Sequence, residues 1–449
     1  MPIDRALFHP DYKPEPFWWE AARPGTDHHR YLPDATEVFI VGSGYAGLSA
    51  ALELARAGRE VTVVDALAFG EGASTRSGGG VSAGINLGKG ISGGPGQEKR
   101  GEAQKALLEN LLAESLAAFE LVGHLIEREG IDCHLERRGR FVGAYAPGHL
   151  DGLKKKAEML NRLLDLGARV ISRDEQHSEI GSDFYHGGMV IERAGKLHPS
   201  LYHKGLLDAA ARAGVRLTAH CKVTGINGAP GAFTVRTEQG DCRAEQVVIA
   251  TNAYTGALTP SLQKRLVPIS SQIITTEELP EDLARELIPN GRTISETPRV
   301  TSYYRLLPGD RRVMYGGRAR FQTVHPNESA ALLHGMMCER WPQLKDARIT
   351  HSWSGLVAMT TDALPHMGYE NGIHYCAGCN GSGVATMTYL GLQIARRILN
   401  GGESDSGYAT LAFPDVPVPF YRGKPWFLPI VGGYYRHLDR KDRQKVIAG

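Results

Sequence analysis

Residues 37–66, EVFIVGSGYAGLSAALELARAGREVTVVDA, limit the fold of this chain more sharply than any other stretch. The apolar run that ends in glycines predicts a buried strand. Leu48, Leu52 and Leu54 follow at helical spacing, and Gly58 is a stop signal. EVTVVD is a second, β-branched strand, and strand, helix and strand within about 30 residues make a βαβ unit. The turn reads G-x-G-x-x-G. Gly42 permits the tight turn, Gly44 lets backbone approach a pyrophosphate, and Gly47 lets helix and strand pack closely. The helix start offers free N–H groups and a positive dipole end to phosphates. Asp65 ends the second strand about 20 residues on, where an acid bonds ribose hydroxyls and disfavours a 2′-phosphate. The unit predicts a dinucleotide other than NADP and leaves FAD against NAD open.

The 449 residues suffice for a large core and two domains. Apolar residues make up 42% and charged residues 22%, the balance of an ordinary globular protein. A formal net charge of +2 argues against a broad basic face, so no nucleic-acid partner is expected. No apolar run approaches the ~20 residues of a transmembrane span, and residues 1–25 lack the apolar centre of a signal peptide, so a cytoplasmic protein is expected. Six cysteines are too few for a disulfide scaffold. Cys376 and Cys379 form C-x-x-C, the spacing of a redox pair or half a zinc site. With no second pair and no histidines at ligand spacing, they read as two small buried residues by a tight turn, and no metal site is expected.

Residues 1–36, rich in Pro, Trp and Tyr, read as an extended arm. Residues 70–97 hold too much glycine for a regular element. With Arg76, Asn86 and Lys89 among small residues directly after the nucleotide unit, they read as a loop against a ligand. Residues 102–130 and 150–166 predict helices, and Pro199 suits the first turn of a third. Alternation between 215 and 255 predicts strands. TSYYRLLP and RRVMYGGRARF predict a hairpin through Pro308, Gly309 and Asp310. Gly381, Ser382 and Gly383 open a late helix. This order predicts an α/β protein: a discontinuous Rossmann-type nucleotide domain with an inserted, mixed antiparallel-sheet substrate domain. The expected nucleotide-domain pieces are 1–98, 199–265 and 349–449 with the tail. The substrate domain takes 99–198 and 266–348.

Three later features favour FAD. EGASTRSGG follows the second strand almost at once and suits a platform beneath an isoalloxazine ring. AEQVVIATNAYT suits a strand returning toward the pyrophosphate. CAGCNGSGVATM brings a helix N-terminus toward the pyrimidine edge, where a positive dipole end stabilises reduced flavin. With these the chain resembles the D-amino-acid-oxidase-like (DAO) family of FAD-dependent oxidoreductases over nearly its whole length. The matches, in family order, are IVGSGYAGLSAA…VVDA, GASTRSGGG, LHPSLYHKGLLDAA, VVIATNAYT, YYRLLPGDRRVMYGGR, WSGLVAMTTDALPHMG and GCNGSGVATMTYLG. The resemblance implies that Gly42, Ser43, Gly44, Tyr45, Ala46 and Gly47 hold the pyrophosphate, with Ala250, Thr251 and Asn252 nearby. It implies Asp65 and Ala66 at the adenosine ribose and Val223 at the adenine. Gly72, Ala73, Ser74, Arg76, Ser77, Gly78, Gly79 and Gly355 would lie along the flavin. Gly381, Ser382, Gly383, Val384, Ala385 and Thr386 would close over its pyrimidine side. Members that bind FAD covalently use a cysteine in the region matched by WSGLVAMTTDALP; this chain has none there, so non-covalent FAD is expected.

The resemblance also implies an oxidase of an amine or amino acid. A hydride would pass from the C–H next to nitrogen to flavin N5, giving an imine, with O2 taking the electrons to form H2O2. The alternative is a dehydrogenase that passes electrons to a quinone or a partner protein. The flavin carries the difficult step, so neither a Ser/His/Asp triad nor a metal is required. Tyr304 and Arg305 are the expected carboxylate contacts, through the bidentate fork of guanidinium. Arg318 is a second candidate, and Trp353 and Tyr254 are candidates for the pocket wall.

Overall fold

The computed structural model describes residues 5–83, 102–321 and 323–444. Asn86 and Lys89 of the glycine-rich loop lie outside them. The βαβ unit forms as its pattern dictates. Strand Ala35–Val41 runs parallel to Val61–Val64, with helix Tyr45–Arg56 between them in the chain. Parallel order continues through Arg216–Thr218 on one side and through Gly240–Ile249 and Ile373–Ala377 on the other. Val223–Asn227, Phe233–Thr237 and His366–Glu370 add antiparallel strands and complete an eight-stranded sheet.

The second sheet has nine strands. Its order is Phe8–Lys13, Ile349–Met359, Val267–Thr276, Val313–Gly317, Ser302–Leu306, Thr293–Glu296, Arg140–Gly143, Gly188–Ile191 and Arg169–Ile171. Most neighbours are antiparallel. The arm strand Phe8–Lys13 runs parallel to Ile349–Met359, and Arg140–Gly143 runs parallel to Thr293–Glu296.

Three segments depart from the expected division. Ile349–Met359 pairs with Val267–Thr276, so the second sheet extends to Met359 instead of stopping at 348. The arm strand joins that same sheet. The helix Glu102–Glu129 buries Leu111, Ala118, Val122 and Leu125 in one core with Leu48, Leu52 and Leu390 of the nucleotide domain. The reason is common to all three: chain order reports local pattern, whereas these contacts join residues from about 50 to more than 300 positions apart.

Helix Tyr45–Arg56 packs closely against helix Gly383–Leu399. A Cβ at Gly391 would run into the Ala46 carbonyl, and one at Gly47 into the Gly42 carbonyl. Among the described residues no helix is long and apolar enough to cross a membrane.

Candidate active site

A cavity of about 920 Å³ runs from the carboxyl ends of the nucleotide-domain strands to one face of the nine-stranded sheet. Gly42, at φ +108°, sets the turn where any Cβ would stand 2.9 Å from the Ala250 carbonyl oxygen. Gly44 precedes helix Tyr45–Arg56 with no side-chain cap. Ser74 Oγ accepts from the Tyr45 N–H at 3.2 Å, and the Tyr45 hydroxyl donates to the Ser74 carbonyl at 2.6 Å. Asp65 Oδ2 accepts from the Ser43 N–H at 3.0 Å and the Ser43 hydroxyl at 2.6 Å, while Oδ1 accepts from the Leu67 N–H at 3.0 Å. The carboxylate is thereby fixed at the cavity edge. Ser382 starts helix Gly383–Leu399, again without a side-chain cap. Two helix starts whose own cap residues supply no side-chain acceptor, and a fixed acid at a glycine turn, fit a dinucleotide with its pyrophosphate at the first helix.

The loop 70–79 is held by three indoles at consecutive residues. Trp19 Nε1 donates to Thr75 Oγ1 at 3.0 Å, Trp353 Nε1 to the Arg76 carbonyl at 2.9 Å and Trp18 Nε1 to the Ser77 carbonyl at 2.9 Å. Arg76 is engaged within its surroundings. Its Nε donates to the Glu71 carbonyl at 2.9 Å, its Nη1 to the Ser354 carbonyl at 3.2 Å, and its guanidinium lies 4.5 Å from the Trp19 ring centre. The loop is a stiff platform along the cavity.

On the facing sheet, register decides what reaches the cavity. Tyr303 pairs with Ser295 and Gly316, and Arg305 with Met314. Residues two apart share a face, so Tyr303 and Arg305 face one way and Tyr304 the other. The Tyr303 ring packs where a Cβ on Gly316 would stand, and its hydroxyl lies 3.0 Å from Ser271 Oγ. Arg305 is only 1% exposed. Its Nη1 donates to the carbonyls of Gly78 at 3.1 Å and Leu197 at 2.9 Å, and its guanidinium lies 5.3 Å from the Trp18 ring centre. Burial pulls its pKa down to about 9. Arg318, half-buried, approaches Met359 Sδ at 3.7 Å. Among the described residues no carboxylate pairs with it, and burial lowers its pKa, with Tyr303, Tyr435 and Cys379 as charge-coupled neighbours.

The model of the family described as "DAO: FAD dependent oxidoreductase" matches residues 37–397. The chain belongs to this family. It is 32% identical over 407 residues to gamma-glutamylputrescine oxidoreductase of Escherichia coli (strain K12), covering 90% of this chain and 93% of that one. Glycine oxidase of Geobacillus kaustophilus is 25% identical over 384 residues, covering 82% and 92%. In fold, the crystal structure of glycine oxidase from Geobacillus kaustophilus superposes with a TM-score of 0.69 at 21% identity, covering 85% of this chain and 99% of that one.

As a DAO-family enzyme the chain uses FAD, and most residues expected to hold it border the cavity. These are Gly42, Ser43, Gly44, Tyr45, Ala46, Asp65, Ala66, Gly72, Ala73, Ser74, Arg76, Ser77, Gly78, Gly79, Val223, Ala250, Thr251, Asn252, Gly355, Gly381, Ser382, Gly383 and Val384. Gly47, Ala385 and Thr386 do not border it. Gly47 lies behind the turn against the Gly42 carbonyl, and Ala385 points into the core. The expected substrate pair needs correction. The Tyr304 ring turns into the core on the far side of the sheet, stacked 5.3 Å from Tyr315 and edge-on at 4.8 Å to Trp341, with its hydroxyl bonded to Tyr185. Tyr304 borders the cavity, yet strand alternation turns its ring to the far side, and the Tyr303 ring takes the cavity face. Trp353 also leaves the list of wall candidates: it is 1% exposed and packs with Trp18, Ile273 and Met314 beneath the platform loop. Tyr254, 46% exposed, does border the cavity. Cys379 lines it too, whereas Cys376 is buried, its thiol pushed up to about 12 by burial.

Proposed function

We propose that this FAD-dependent oxidoreductase oxidises an amine or amino acid bearing a carboxylate, and that O2 takes up the electrons. The observation that carries the reading is Arg318, a cavity-lining guanidinium with no carboxylate partner among the described residues. A buried cation without a counter-ion is costly, and an arriving carboxylate removes that cost. The names of its relatives, an amine oxidoreductase and a glycine oxidase, support the nitrogen-bearing class. When bound, FAD supplies the two-electron acceptor for the C–H bond next to nitrogen. Arg318 grips the carboxylate through a charge-assisted fork. The Tyr303 and Ser271 hydroxyls, 3.0 Å apart, offer a lone pair to the N–H of a neutral amine. Burial raises the Tyr303 pKa, so it stays a neutral phenol. Ile273, Met314, Leu356 and Val357 form an apolar wall that keeps water from the imine before release. The region matched by WSGLVAMTTDALP offers no thiol, so FAD is bound without a covalent link.

The test is anaerobic mixing of the yellow holoenzyme with amines and with D-, L- and N-substituted amino acids. Bleaching by a carboxylate-bearing member, with fast recolouring in air, is expected. Slow recolouring would assign the electrons to another acceptor. Arg318→Gln should raise KM for that substrate about 10- to 100-fold with a smaller change in kcat, the signature of lost uniform binding. An unchanged KM would remove Arg318 from the carboxylate site. Acid precipitation should leave the flavin in the supernatant.

A further inference from the structure

The cavity reaches beyond Arg318, across the sheet, to a second cation. Arg140 pairs in register with Thr293, the strand neighbour on the cavity face, and both border the cavity with Ser295. Arg140 Nε and Nη2 both donate to Ser295 Oγ, at 2.9 and 2.6 Å. A hydroxyl cannot neutralise the charge, and among the described residues no carboxylate pairs with Arg140. Nearby acids have other partners. Glu136 holds Arg138 at 2.9 Å and Lys196 at 3.6 Å, and Arg292 holds Glu179 and Glu192, each at 2.8 Å. Lys156, on helix Gly148–Leu164, does not line the cavity, but it feels the Arg140 charge and has no ion pair among the described residues. Burial, with the Arg140 charge added, lowers its ammonium to about 8, and burial lowers Arg140 to about 10. A cavity-lining cation without a counter-ion, its charge reinforced by Lys156, destabilises the empty protein and favours an anion at Arg140.

We infer that Arg140, with Ser295, forms a distal anion subsite that takes a second carboxylate at the far end of the substrate, with Lys156 adding positive charge from outside the cavity lining. The inference rests on the role proposed for Arg318. Both arginines rise from one face of the sheet, three strands or about 14 Å apart across it, and Arg318 stands four residues, or roughly 13 Å, further along the strands, since Arg140 is level with Thr293 and Met314. Their side chains reach inward, so the two anions they hold are separated by a chain of several carbons. The substrate class narrows to amino acids or N-substituted amines with a carboxylate at each end. A short monocarboxylic amino acid fills only half of this arrangement.

The experiment uses straight-chain α,ω-dicarboxylates from succinate to sebacate, each against the monocarboxylate of equal length, titrated into the holoenzyme and read by perturbation of the flavin absorption spectrum. A dicarboxylate of matching length should bind at least tenfold tighter than its monocarboxylate. Arg140→Gln should remove that gain while leaving monocarboxylate affinity within about twofold, and Lys156→Gln should reduce it in part. Equal affinities at every length in the wild type would overturn the subsite and need no variant. So would a gain that survives Arg140→Gln. Arg318→Gln separates the two readings: it should weaken monocarboxylate binding about 10- to 100-fold, and if it leaves that affinity unchanged, the proximal assignment fails and the distal one loses its basis.

Discussion

Tyr303 and Tyr304 are neighbours in sequence and belong to different parts of the molecule. One stands over the cavity with its hydroxyl near Ser271; the other joins Tyr185, which donates to Glu296 at 2.7 Å, beside the Glu296–Arg340 ion pair at 3.0 Å. Their phenylalanine variants should therefore separate. Tyr303→Phe should lower kcat/KM severalfold with little change in melting temperature. Tyr304→Phe should leave turnover per folded molecule intact and cost about 1–3 kcal/mol, because it strips a partner from a buried polar network. A reversed pattern in kinetics and thermal melting would refute this facing of the two rings. The sequence showed that residues 302–306 alternate but carried no phase for the alternation. A cue existed: Gly316, in the partner strand, leaves room for one aromatic ring. Using it required the register, as Arg140 did, because nothing local marks that arginine as facing Thr293.

At the scale of elements, the close crossing of helices Tyr45–Arg56 and Gly383–Leu399 sets both helix starts at the cavity. Gly391→Ala should force them apart, since its Cβ meets the Ala46 carbonyl. The expected outcome is a loss of about 1–3 kcal/mol together with reduced flavin content after purification. Gly335→Ala is the control, because a Cβ there meets nothing within 4 Å and a helix gains from alanine. Equal flavin content in both variants would sink the coupling. Both helices were legible from their glycine-rich starts. Gly391 was not, because a glycine inside a helix reads only as a weakness until its neighbour is known.

For the whole molecule, acid should act through buried histidines. Burial, with Arg397 nearby, holds the His374 ring at about 4, and burial with Arg305 and His134 does the same to His198. Both values lie below the ordinary 6.5, so between about 6.5 and 4 the unfolded chain binds more protons than the folded one. Stability should be complete above that range, fall through it, and gain no further loss from these rings below it. Melting temperatures at pH 7.5 and 5 should show the drop, and His374→Gln should shrink it. A variant that loses as much as the wild type would exonerate His374. The two-sheet plan was visible in the sequence, but the interleaving was not, since the arm, the strand Ile349–Met359 and the helix Glu102–Glu129 take their places through distant partners. The arm's placement has an optical consequence. Of five tryptophans, Trp18, Trp19 and Trp353 touch the platform loop. Indole emission overlaps flavin absorption, so these three donors sit within resonance-transfer range of any flavin on that loop, and the chain's own ultraviolet glow dims as it fills with cofactor.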